Sequence, residues 1–377
     1  NVTIQAGRDL TVNQAVSTAG GDLKLQAATT GFANTSATGT LTVNAAVGDT
    51  NTGNISLSAG TGGISLAGDV VNGSAKTVSL VSAGGIGQTA GSLQTGTLSI
   101  SAAGSVALAQ STNAIDTLSG ATTTAGALFV VSADAMTVAG GKTISAPGQI
   151  LLKDTAGGTA LTIQDAAVIS SSGGSIALVA NTGAIGAATI NAAGMLEVAP
   201  ATSGASYTIG TNLVNTGAPS TSIAGLRVGA YTDPGIGALS VTAKDIVFGI
   251  KFGTPKLELD TQVGGTVSNT AGKSVSTGTL TGSVGSFALT GATIVSIGSF
   301  TAAGTAGFSL DNSGKALTVT GPLVASNGSV SLSNASSISV SGSIKATTAA
   351  ILAATTSGIG LNSGASIKAT TVSLAAT

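Results

Sequence analysis

The 377-residue sequence contains no cysteine, no histidine and no tryptophan. Without cysteine there is no disulfide framework, no thiolate metal site and no thiol nucleophile. Without histidine there is no Ser-His-Asp triad, and no imidazole to act as acid, base or metal ligand. Aromatic residues make up 2% of the chain and charged residues 7%, which is thin material for an ordinary catalytic centre. Lys plus Arg number 13 against 14 Asp plus Glu, with no basic run to follow a phosphate backbone, so nucleic-acid binding is unsupported. Mean hydropathy is +0.51. Even so, Gly, Ser, Thr or a charge interrupts every apolar run before the ~18 residues that a membrane-spanning helix needs. Two Tyr and no Trp cannot form the aromatic girdles of a membrane barrel. The chain starts at Asn1 without Met or an apolar leader, which reads as a processed start or a piece of something longer. The expectation is a water-soluble chain that is not an enzyme, with no cofactor and no metal.

What is present is small and repetitive. The dominant signal is a triplet of large apolar, small or polar, large apolar residues: Val2–Ile4, Leu10–Val12, Leu23–Leu25, Leu41–Val43, Ile55–Leu57, Ile64–Leu66 and Val78–Leu80. Alternation with period two predicts short strands with two side chains inward and one outward. Lys24, Glu197, Arg227 and Glu258 all take the middle, outward position.

The triplets recur at a longer period, and this decides the expected fold. One series runs Phe287–Leu289, Phe308–Leu310, Val330–Leu332, Ile351–Ala353 and Val372–Leu374. A second runs Val295–Ile297, Leu317–Val319, Ile338–Val340 and Ile359–Leu361, and a third contains Leu323, Ile344 and Ile367. The hexapeptide SIKATT occurs at Ser343–Thr348 and again at Ser366–Thr371. Earlier, Val106–Leu108, Leu128–Val130, Ile150–Leu152, Ile176–Leu178 and Leu196–Val198 keep a similar ladder with more slippage. Three short strands per coil of about 21–23 residues predict an all-β parallel β-helix, each strand pairing with its equivalents one coil away at about 4.8 Å. A narrow three-sided core accounts for the wealth of Ala and Gly. Corners that favour φ > 0 account for Gly, Asn and Asp, with Asp154, Asn181, Asn312 and Asn334 expected to bond local backbone. The gap between Leu25 and Ile55 predicts an enlarged coil or loop at 29–39.

One stretch, 200–260, loses the period. It holds Pro200, Pro219, Pro234 and Pro255 and both tyrosines. Because Pro cannot donate to a central ladder, an irregular insertion is expected there between β-helix repeats at 1–199 and 261–377. Loops on rigid scaffolds tend to carry function, which makes Tyr207, Arg227, Tyr231 and Lys251 the candidate contact residues. The regular remainder corresponds to about 14 or 15 coils, a rod of about 70 Å at the usual strand spacing.

Other chemistry is sparse. Gly84–Gln88 resembles the start of a calcium-binding nonapeptide but has Gln88 where Asp is required. Asp134, Asp154 and Asp165 are the nearest approach to a carboxylate cluster and read as solvated turns. Lys345 and Lys368 are expected on neighbouring coils, keeping a sheet face soluble. Thr-x-Thr pairs at 40/42, 122/124, 279/281 and 318/320 are scattered, which argues against an ice-binding face.

The runs Asn1–Asn13 (NVTIQAGRDLTVN), Gly104–Leu108 (GSVAL) and Gly328–Leu332 (GSVSL) resemble the repeats of filamentous haemagglutinin-like exoproteins. That resemblance covers most of the chain outside 200–260. It implies a right-handed parallel β-helix, export by two-partner secretion through an outer-membrane transporter, and a bacterial surface or secreted fibre. The family's secretion domain with its Asn-Pro-Asn-containing motif is not among these residues, which reads as a shaft segment. The expected function is a structural and adhesive shaft contacting a cell, glycan or abiotic surface. The alternatives are a matrix, sheath or surface-array component that packs against copies of itself, and a polysaccharide-degrading β-helix enzyme. Three carboxylates converging within about 6 Å on one groove would favour the enzyme.

Overall fold

The structure is a computed structural model that describes residues 1–31, 36–155, 160–215 and 220–376. Among these residues it is all-β, with no helix, and its parallel strands stack as a β-solenoid of about 16 turns. Among the described residues no helix is long and apolar enough to cross a membrane. The chain divides into two compact units, 1–194 with 215–223 and 195–214 with 224–377.

In the first unit the inward residues form three files, each built by strands pairing one coil on. Val2, Leu23, Ile55, Val78, Leu98, Leu118, Val138 and Ile163 are consecutive partners in one. Leu10, Leu41, Ile64, Ile86, Val106, Leu128, Ile150 and Ile176 form the second. Ile100, Ala121, Ile144, Ile169 and Ile190 form the third. Nearly every member is fully buried. Each aliphatic side chain so buried contributes about 1.5–3 kcal/mol, and the outward Ser and Thr between them cost little to leave in water. Leu23 and Ile55 are direct partners, so the enlarged coil does exist; of the 29–39 stretch assigned to it, residues 32–35 lie outside those described.

The second unit repeats the scheme. Val267, Phe287, Phe308, Val330, Ala350 and Val372 follow one another in register. Phe287 and Phe308 stack at 4.3 Å between ring centroids, and Phe300 meets both edge-on at 5.1 Å. Leu323, Ile344 and Ile367 pair as expected, and Lys345 faces Lys368.

Two triplets are shifted by a residue. Val330 pairs with Ala350 and Leu332 with Leu352, so Ala350 and Leu352 are buried while Ile351 points outward and is exposed. In the stretch AAILAA both alternations are apolar, and period two alone cannot choose between them. Likewise Ile294 and Ile297 are buried and Val295 is exposed: the two inward residues, paired with Thr277 and Leu280, stand three apart and not two, so Val295 and the half-exposed Ser296 both lie outside.

The stretch 200–260 is less irregular than its composition. Ala205–Ile209 pairs in parallel with Ala243–Phe248, which pairs with Thr266–Asn269. Leu226–Val228 pairs with Leu257–Leu259. Pro255 lies inside the strand Phe252–Asp260. The ladder to the next coil runs on both sides of it, whereas the pairing to Leu226–Val228 starts only at Leu257. What breaks the period is one antiparallel hairpin, Ala230–Asp233 with Ala238–Val241, set between the paired residues Tyr207 and Ile246. These residues therefore add coils to the solenoid, which is why it has more turns than a count omitting them.

Candidate functional site

Many corners are built from side chains that reach forward one coil. The Oδ1 atom of Asn1 accepts the Asp22 amide, that of Asp22 the Asn54 amide, and that of Asn54 the Thr77 amide, at 2.8, 2.8 and 3.0 Å. Asp9, Asp69, Asp165, Asp245 and Asn269 accept the amides of Thr40, Ser92, Ala187, Thr266 and Thr290 in the same way. At Asp245 burial opposes ionisation, but bonds from the Thr266 hydroxyl and amide and the Ser206 hydroxyl outweigh it and hold the carboxyl below its usual range. Asp49 is lowered chiefly by the Asn51 amide; it lines a shallow hollow with Ser17–Gly20 and Asn51.

Three asparagines are buried, Asn72, Asn113 and Asn312. Asn312 accepts the Ile294 amide at 2.8 Å and donates to the Ile294 and Lys315 carbonyls. Asn113 accepts the Leu93 amide and exchanges two amide bonds with Gln88. Gln88, the position that spoiled the calcium pattern, is thus a structural partner. Asn312 bonds local backbone, as expected, and also the preceding coil. Asn334 has φ 55° and donates to Asp311 on the preceding coil. Asp154 is buried opposite Ser132, not in a solvated turn, and Asn181 is half-buried. Asp134 and Asp165 are exposed, and burial followed by the charge of Asp134 raises Asp116. Among the described residues no group of three or more acidic, His or Cys side chains is arranged to hold a metal ion.

The densest charged site is in the second unit. Arg227 pairs with Glu258 one coil on, and Glu197, Glu258 and Asp260 all converge on its guanidinium. Nη1 meets Glu197 Oε1; Nε and Nη2 lie 2.9 and 2.8 Å from Glu258 Oε1; Nε is 3.8 Å from Asp260 Oδ2. The hairpin closes this cluster: Thr232 donates its amide to Glu197 Oε2 at 2.7 Å and its hydroxyl to Oε1 at 2.9 Å. Glu197, an outward residue in the strand pattern, is therefore fully buried. Three carboxylates do meet, but around an arginine and under a hairpin instead of along an open groove. Such a set can hold backbone and hairpin in place.

The proposed contact residues fare differently. Tyr207 is 2% exposed and Tyr231 1%, so neither ring can meet a partner, and the contact role assigned to them is corrected. Tyr207 is an inward core residue paired with Ile246, where burial pushes its phenol up. Tyr231 lies in the hairpin's first strand, opposite Ser240, and donates to Asp233 at 3.2 Å. Arg227 is occupied by the three carboxylates, its side chain 16% exposed. Lys251 is exposed. Sequence reasoning missed the hairpin's own outer residues, Ile236 and Leu239, which are 69% and 41% exposed; the turn signal Pro234–Gly237 between two β-prone runs could have located them.

A second feature also escaped the triplet pattern. Thr77, Thr97, Thr117, Thr137 and Thr162 pair in succession on five coils of the first unit, all half-exposed. Only Thr97, with Thr95, belongs to a Thr-x-Thr pair, which is why counting such pairs did not find the file. Thr is favoured at outward strand positions, where its methyl groups stack.

Comparison with family models, with curated proteins and with solved structures finds no match to this chain.

Proposed function

We propose that the chain is a structural and adhesive shaft segment of a bacterial surface or secreted fibre, of the filamentous haemagglutinin-like kind that its repeats resemble, and not an enzyme. The observation that carries this reading is the coil-to-coil register. Within each unit the inward files continue strand by strand, and the corner acceptors bond forward from coil to coil. A ladder of backbone bonds along the stacking direction resists bending and stretching, which suits a spacer. The one strongly charged site is closed on itself by Arg227 and the hairpin, as befits bracing. Export through an outer-membrane transporter and contact with cells, glycans or abiotic surfaces belong to this proposal. The projecting residues Ile236 and Leu239, with Lys251, are the contacts it assigns.

The test is attachment. Beads coated with the chain should adhere to epithelial cells or to hydrophobic plastic several-fold better than beads coated with albumin, and Ile236→Ser with Leu239→Ser should remove most of the difference. Equal retention of chain and albumin would overturn the adhesive reading. Shortening of plant or bacterial polysaccharides by the purified chain would replace it with an enzyme.

A further inference from the structure

The cluster around Arg227 has one cation for three carboxylates. Glu197 is saturated by Arg227 and by both donors of Thr232. Glu258 takes two guanidinium N–H groups on a single oxygen. Asp260 follows two residues later on the same face of the strand. Its Oδ1 accepts the Ser283 amide at 3.2 Å, while Oδ2 is buried with no hydrogen bond, and the residue is 5% exposed. The surrounding elements supply no second cation at contact distance. The preceding coils bring Glu197 and Arg227, its own strand brings Glu258, the following coil pairs Thr281 with Glu258 and Ser283 with Asp260, and the hairpin brings Thr232 and, against Tyr231, Asp233. A buried acceptor oxygen that makes no hydrogen bond, its ion pair to Arg227 Nε being 3.8 Å long, becomes a donor when it takes up a proton.

We propose that Asp260 takes up a proton from solvent under mildly acidic conditions and that, with Glu258 beside it, it makes this coil a pH-sensitive brace for the hairpin. Protonated, Asp260 Oδ2–H becomes a donor, and Arg227 is left to Glu197 and Glu258, which hold it and, through Thr232, the hairpin. Ionised, Asp260 adds a surplus buried charge that repels Glu258 and competes for Arg227. Burial first and the Glu258 charge second raise its carboxyl from 3.8 to about 6, with Arg227 and the Ser283 amide pulling the other way. Because the folded value is raised, the stabilising contribution is fully present below pH 3.8 and is lost as pH rises through about 6. Tightening in acid is the opposite of the response expected from carboxylates such as Asp245.

Carbon-detected NMR of the Asp260 carboxyl in the intact chain reads this directly. A midpoint near pH 6 supports the proposal, and one below 4.5 overturns it without any variant being made. Amide exchange at Thr232, corrected for the intrinsic dependence on pH, should be at least several-fold faster at pH 7.5 than at 5.5, and this ratio should fall to about one in Asp260→Asn. A wild-type ratio near one, or an unchanged ratio in the variant, would overturn the coupling to the hairpin.

Discussion

Replacing Asn312 with Ala tests whether buried corner amides clamp one coil to the next. Asn312 is fully buried, and its amide holds both backbone groups of Ile294, N–H to Oδ1 at 2.8 Å and Nδ2–H to the carbonyl at 3.0 Å, besides the Lys315 carbonyl at 3.2 Å. Removing the side chain strands one donor and up to two acceptors. Each unsatisfied buried group costs about 1–3 kcal/mol, and partial relaxation or an entering water brings the expected total to about 2–4 kcal/mol. Asn312→Asp keeps an acceptor for Ile294 N–H but turns a carboxylate oxygen toward two carbonyls, so at pH 7 it should destabilise at least as much as Ala. The corner at Asn334 is the control. It is exposed with φ 55°, a conformation Gly adopts freely, so Asn334→Gly should change stability by no more than about 0.5 kcal/mol. Urea unfolding gives the totals. Because solenoids can lose coils separately, exchange of the Ile294 amide should be followed alongside. A cost below about 0.5 kcal/mol for Asn312→Ala, with Ile294 still protected, would refute the clamp.

Arg227→Met should be strongly destabilising, by about 3–5 kcal/mol, since it leaves Glu197 buried without its cation; calorimetry of this variant beside Arg227→Lys would show whether the planar fork matters as well as the charge. Gly229→Ala should fail to accumulate as folded protein: φ is +94°, and the added Cβ would lie 2.1 Å from the Asp260 carbonyl oxygen, a clash that soluble yield and circular dichroism would report.

Much of the solenoid was legible because its cause is local and repeated. Where one alternation is apolar and the other polar, as in Leu317–Val319 or Ile338–Val340, period two fixes the inward face, and the one-coil step fixes the partner. The identical SIKATT segments set Lys345 against Lys368 for the same reason. Legibility failed where both alternations were apolar, as at Ile351, and where two inward residues stand three apart, as Ile294 and Ile297 do around Val295. It failed again at 200–260, where proline and tyrosine suggested surface loops. There the tyrosine rings are buried, and among the described residues only the hairpin departs from the coil. The charged site was seen only in fragments: Glu197, Arg227 and Glu258 were each placed outward, but coil steps longer than the regular ones hid that they stack on one another. The burial of Glu197 depends on Thr232, a contact between a coil and the hairpin that no periodicity encodes.

Asn113 and Asn312 accept amides of the preceding coil, but the forward-reaching corner acceptors give their own corners a direction. At Asn1, Asp22, Asn54, Asp69, Asp165, Asp245 and Asn269 the oxygen belongs to the earlier coil and the amide to the later one. A coil formed first therefore presents an oriented acceptor that only its successor can fill. Each finished coil is a template for the next residues to arrive, and the side chain that selects the arriving amide is already fixed in place. A chain delivered amino-terminus first would wind as a ratchet, each turn captured as it emerges. Delivered in the opposite sense, the same corners would have to hold a loose amide in wait for an acceptor not yet folded.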